Sequence, residues 1–162
     1  MFTADDVASA ALLNTPVPGR AVVHLLITQR VHFAGLLEAV GPDRDFIDVD
    51  PDPSGKDMAP VYELYEALKT LPKIGPTITS KLVARKQPRL FPITDAELRQ
   101  TVFFETRQDI HTGRQLLHAE FSAQDRTLWK RLASYHSAAS LPAEVSMLRG
   151  FDVLAWMEAK AY

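Results

Sequence analysis

Apolar residues recur along this chain at spacings of three and four, and no run shows the alternation, bounded by Asn-Gly or Asp-Gly turns, that marks a hairpin of strands. The pattern predicts an all-α fold. A first helix opens on the cap-and-acid pair Thr3 and Asp6, carries Val7, Ala10, Ala11 and Leu12, and stops before Pro16-Val17-Pro18-Gly19. A second helical region runs from about Arg20 to Val40, with Val22, Leu25, Leu26, Phe33, Leu36, Leu37 and Val40 on one side and an interruption expected near Thr28. A loop rich in Asp and Pro follows, from Gly41 to Lys56. Helices are then predicted from about Met58 to Thr70, with Val61, Leu64, Tyr65 and Leu68 on one face, and from Pro76 to Lys86.

Pro88 and Pro92 break the pattern and carry an extended passage, Arg89-Leu90-Phe91-Pro92-Ile93, up to a helix capped by Thr94 or Asp95. That helix holds Leu98, Val102 and Phe103. Beyond it the stretch from Gly113 to Ala139 reads as one or two helices with Leu116, Leu117, Phe121, Leu128, Trp129 and Leu132. A last helix is expected from about Pro142 through Met157. At 162 residues the whole reads as one all-α domain. Residues 58–103 form a central hairpin and its following helix, and 1–57 and 104–162 pack beside it.

Composition narrows the chemistry. The chain has no cysteine, which removes thiolate nucleophiles, disulfides and cysteine-held metals. Net charge is only −2, so any contact with nucleic acid must be local. The acidic opening and the lack of an apolar run near the roughly 20 residues of a membrane span point to the cytoplasm, with no membrane partner. Asp48, Asp50 and Asp52 have the look of a calcium loop, but its twelfth position falls on Ala59, so the closing carboxylate is missing. The histidine pairs, His24 with His32 and His111 with His118, lack a fixed acidic partner, and no metal held by side chains is expected.

Charge is nevertheless one-sided in one place. Lys69, Lys73, Lys81, Arg85, Lys86 and Arg89 occur with no acid between Glu66 and Asp95, around the turn Leu71-Pro72-Lys73-Ile74-Gly75-Pro76-Thr77. Gly75 offers the left-handed backbone a tight interhelical turn needs, and Pro76 suits a first helical position. The second helix would then aim its first N-H groups and positive dipole end at a phosphate. Candidate DNA contacts are Lys73, Ile74, Gly75, Pro76, Thr77, Lys81, Arg85 and Arg89.

The segment from Leu71 to about Val102 resembles the helix-hairpin-helix of the DNA glycosylase superfamily. The resemblance implies a hairpin backbone gripping the phosphate of duplex or damaged DNA, a sodium or potassium ion on hairpin carbonyls, and a catalytic aspartate after a short extended link, here Asp95. Thr77 stands where bifunctional members carry a lysine nucleophile, eighteen residues before the aspartate, and Lys73 replaces a usual glycine. A lyase mechanism is therefore not implied. Asp95 has an ordinary reading as well, that of a helix N-cap. A broader resemblance, to an uncharacterised actinobacterial family with a domain of unknown function, rests on three segments. They are Pro16-Val17-Pro18-Gly19-Arg20, Ser80 to Leu90, and Val145 to Met157.

Three functions follow as expectations. The first is a DNA-binding protein without sequence preference, a catalytically degenerate glycosylase-like protein. The second is a monofunctional glycosylase with Asp95 central and Thr77 at most positioning water. The third is a helical protein-interaction module using exposed apolar residues such as Phe103, Phe104 or Phe121.

Overall fold

The computed structural model describes residues 1–95, 98 and 110–160. Its described residues hold seven α-helices and no strand: α1 (Ala4–Leu12), α2 (Gly19–Val23), α3 (Arg30–Val40), α4 (Ala59–Lys69), α5 (Pro76–Lys86), α6 (Ile110–Ala138) and α7 (Met147–Ala159). A π-helical turn, His24–Thr28, joins α2 to α3 and ends at Gln29, whose backbone leaves the helical region. The interruption expected near Thr28 is thus a widened turn rather than a gap. The helix predicted after Asp95 falls largely outside the described residues, as do Phe103 and Phe104.

Two apolar clusters organise these helices. The larger is built from α1 to α5 and the link that follows them. Leu64, Leu68, Leu82, Val83, Leu90 and Phe91 have no exposed surface, and Tyr65 almost none. α1 packs on α5, α3 on α4, and α4 on α5. α1 starts with a reciprocal capping box, in which Asp6 Oδ2 accepts the Thr3 N-H at 2.8 Å. The smaller cluster joins Phe46 and Ile47 of the 41–56 loop to Leu117 and Phe121 of α6 and Leu148 of α7. Phe121 is 3% exposed, its ring 5.2 Å from that of Phe151 and 5.3 Å from that of Trp129. Phe121 is therefore a core residue and not the exposed contact expected of an interaction module.

α6 is not continuous. Gln124, Asp125 and Arg126 take positive φ angles of 47°, 56° and 60°, so the predicted one or two helices are two, folded against each other at this break. α7 begins later than Pro142, because Pro142 to Val145 form a turn and Ser146 caps the helix by accepting the Arg149 N-H at 3.2 Å. The Ser146 hydroxyl also donates to the Pro88 carbonyl, fastening α7 to the link after α5. No described helix is long and apolar enough to cross a membrane.

Candidate nucleic-acid interface

α4 and α5 form a hairpin over a turn spanning 70–75, seated by buried Leu68, Leu71, Ile74 and Leu82. Ile74 N-H donates to the Leu71 carbonyl at 3.1 Å and closes the turn. The left-handed residue is Lys73, at φ 61°, and not Gly75, which is extended at φ −100° and ψ 176°. Proline explains the displacement. Pro76 at the first helical position forces the preceding residue out of the helical region and towards extended backbone, so the reversal has to be made earlier. A lysine there costs roughly 1 kcal/mol relative to glycine.

Gly75 is the N-cap of α5, no side chain caps that helix, and no acid sits in its first turn. A Cβ built on Gly75 would meet nothing within 4 Å. Lys73 and Pro76 are exposed beside it, and Thr77 is half-buried. The tip of the hairpin is thus an open helix N-terminus with a lysine next to it.

The remaining cations lie elsewhere than the tip and are engaged. Lys81 Nζ donates to the Leu13 carbonyl at 2.9 Å and to the Thr15 hydroxyl, pinning the end of α1. Lys86 and Arg85 both reach Asp6, Arg85 at 3.5 Å. Burial alone would raise the Asp6 carboxyl, but hydrogen bonds from Lys86 and Thr3 outweigh it and hold the group below its ordinary value. Arg89 makes a two-pronged contact to Asp45, while its backbone N-H lies 3.2 Å from both Asp43 oxygens. Lys69 pairs with Glu66. Three cations of the basic run, Arg85, Lys86 and Arg89, are thus paired with acids from other parts of the chain, and Lys81 is tied to a carbonyl and a hydroxyl.

Ser80 connects the hairpin to the Asp95 link. Its buried hydroxyl accepts the Thr94 N-H at 3.1 Å and shares its proton between the carbonyls of Thr77, at 3.0 Å, and Thr94, at 3.2 Å. Ser80→Ala should lower stability by about 1–3 kcal/mol, since a buried N-H loses its acceptor. A urea melt with no shift in midpoint would show that the link is held elsewhere. Asp95 Oδ1 accepts the Leu98 N-H at 2.9 Å, the geometry of a helix cap. The crevice beside it, lined by Ile93, Asp95, Leu98, Asp152 and Trp156, offers space for one water molecule rather than a base.

The carbonyls expected to hold a monovalent cation are partly committed. Gly75 O accepts both the N-H and the hydroxyl of Thr79, each at 3.0 Å, and Leu71 O accepts from Ile74. Gly75 O has no lone pair left, so the turn fits a cation only in part. No cluster of His, Asp and Glu suited to a metal occurs among the described residues.

Sequence reasoning missed Arg114. It is 2% exposed, with its guanidinium carbon 3.5 Å from the centre of the Phe91 ring and near the rings of Tyr62 and Tyr65. Burial pulls its pKa down to about 10, against the opposing influence of Tyr62. Nothing in the local sequence marks it, because an arginine in a helix ordinarily faces water.

A model of DUF6308, described as a family of unknown function, matches residues 1–159. The chain belongs to the DUF6308 family. No curated protein and no solved structure matches it. The DUF6308 match takes in the hairpin, the link and α7 together, which accords with the resemblance of the three segments to an uncharacterised family. No glycosylase is among the matches of this DUF6308 chain.

Proposed function

We propose that the hairpin binds the sugar-phosphate backbone of duplex DNA without sequence preference, through Lys73, Gly75 and the first turn of α5. The observation that carries this reading is Gly75. Its backbone suits any residue, and a Cβ there would meet nothing within 4 Å. The fold does not require a glycine at this point, whereas a phosphate drawn against the uncapped N-terminus of α5 does. Ile74 and Pro76 shape the turn, and Thr77 sits in the first turn beside the incoming phosphate. Lys81, Arg85 and Arg89 act mainly as braces of the scaffold, with Arg85 and Arg89, both half exposed, able to turn outward at the cost of their carboxylate partners. On this reading Asp95 caps the next helix, and the protein is a catalytically degenerate relative of the glycosylase hairpin proteins.

The test is fluorescence anisotropy of a labelled duplex, with and without an abasic-site analogue, at several salt concentrations. One or two phosphate contacts should give a slope of log affinity against log salt of about −1 to −2. Gly75→Val should abolish binding while lowering the melting temperature by only a few degrees, because the added Cβ enters open space and the cost to the fold is that of a poorer helix cap. Lys73→Gly should weaken binding several-fold yet stabilise the fold by about 1 kcal/mol, as the left-handed residue is relieved of its Cβ. Binding that survives Gly75→Val, or that ignores salt, sinks the proposal.

A further inference from the structure

Three elements meet around Asp152 in a way that DNA binding does not use. α7 supplies Asp152 and Arg149, the link supplies Ile93 and Asp95, and α6 supplies Arg114. Arg149 Nη1 stands 2.7 Å from Asp152 Oδ2, while Nη2 donates to the Phe91 carbonyl at 2.8 Å. The Ile93 N-H reaches the same Oδ2 at a long 3.4 Å. Asp152 Oδ1 is shielded from solvent and has no hydrogen-bond partner among the described residues. Across the one-water crevice lies a second carboxyl, Asp95, of which one oxygen caps Leu98.

The charges facing Asp152 do not settle it as a simple ion. Arg149 on its own helix favours the carboxylate, and Arg114 from α6 does so more weakly. Asp95 from the link opposes it, and the Asp152 side chain keeps only 12% of its surface in water. Arg149 is itself shared, since it also serves the Phe91 carbonyl and feels Asp43 from the loop. Burial leads this balance and raises the Asp152 carboxyl to about 7, against the pull of Arg149. The lone buried oxygen gives the geometric counterpart, because an unpartnered Oδ1 is an acceptor with nothing to accept and becomes a donor once protonated.

We propose that the crevice is a proton-operated clasp: Asp152 Oδ1 takes up a proton in mildly acidic conditions, which removes the like-charge repulsion with Asp95 across the crevice and tightens the seat of α7 on the link. No bond other than O-H and hydrogen bonds changes, and the proton comes from solvent. The sign follows from linkage. A carboxyl whose folded value lies above its unfolded one binds more protons when folded, so its contribution is present below the unfolded value and fades as pH rises through the folded one. The hold on α7 is therefore firm in mild acid and loosens as pH rises through neutrality. The clasp is independent of the hairpin reading and survives if DNA binding fails.

Carboxyl carbon NMR of the full chain with labelled aspartate, each signal assigned through its backbone, tests this directly. The Asp152 signal should titrate near neutrality, and Asp95→Asn should lower its midpoint by about one unit, as the like charge across the crevice is removed. Amide exchange of Ile93, Thr94 and α7, corrected for intrinsic pH dependence, should accelerate several-fold above the midpoint in the wild type and lose that dependence in Asp152→Asn. An Asp152 midpoint in the ordinary carboxylate range, or one that Asp95→Asn leaves in place, overturns the proposal. The Asp95 arm leaves Arg149 and Asp152 intact, so it decides the matter even if Asp152→Asn fails to fold.

Discussion

Phe91→Ala is expected to destabilise the protein by about 5–7 kcal/mol, more than truncating one core side chain ordinarily costs. Phe91 has no exposed surface and sits between the two α4 tyrosines, 5.8 Å from the Tyr65 ring and 6.4 Å from that of Tyr62. Deleting the ring removes buried apolar area and leaves a cavity that rigid helices on both sides cannot fill, which alone accounts for about 3–5 kcal/mol. A second loss is electrostatic. The Arg114 guanidinium lies 3.5 Å from the ring centre, shut away from water, and among the described residues no carboxylate lies against it. A desolvated cation over an aromatic face is held by about 2 kcal/mol, and alanine offers nothing in exchange. Phe91→Leu separates the two, since it keeps most of the volume and loses the ring. Urea denaturation followed by circular dichroism should rank wild type above Leu and Leu above Ala. An Ala variant within about 1 kcal/mol of wild type would mean that the link is not the joint between the hairpin and α6.

How far the fold is legible in the sequence depends on the range of the interactions concerned. Local chemistry can be read directly. Pro76 places the start of α5 and Pro88 its end, Thr3 and Asp6 start α1, and the apolar faces of α4 and α5 are those that pack. The pairing of Arg149 with Asp152, three residues apart on one helix, is likewise visible. Errors arise one step further out. Residue type alone puts the left-handed position of the turn at Gly75, but the neighbouring proline decides it and moves it to Lys73. Interactions between distant segments are not legible at all. Lys81 bonds a carbonyl 68 positions away and Arg89 a carboxylate 44 positions away, so a run of cations that looks like a phosphate track in one dimension is a set of braces in three. Arg114 shows the same blindness from the other side, because only the folded link puts Phe91 against it. The turn of the candidate site can thus be located from its residues, whereas the role of the charges around it cannot.

That distinction between brace and track is sharpest at Asp6, where Asp6→Ala is expected to cost about 3 kcal/mol. The carboxylate side chain is 5% exposed and receives Lys86, itself only 21% exposed, together with the more open Arg85. Removing one partner of a fully buried pair costs about 3–5 kcal/mol, and the half-exposed Arg85 brings the figure to the lower end, because water screens what remains. Losing the acceptor for the Thr3 N-H frays α1 and contributes about 1 kcal/mol of that total. The sign with pH is opposite to that of the α7 clasp. Asp6 is held below its ordinary value, so its contribution is present above the unfolded value and is lost as pH falls through the folded one. The wild type should therefore lose stability more steeply than Asp6→Ala as acid is added, and the two melting curves should converge at low pH. Parallel curves would show that Asp6 makes no special contact. The milder Asp6→Asn separates the two roles of these cations. It keeps an oxygen for Thr3 while releasing Lys86 and Arg85, so if those cations can serve DNA once freed, duplex binding should strengthen and its salt slope steepen by about one contact even as the fold weakens. An unchanged slope would assign the phosphate contacts to the hairpin tip alone, where Lys73 and the open backbone of Gly75 do not depend on what Asp6 holds.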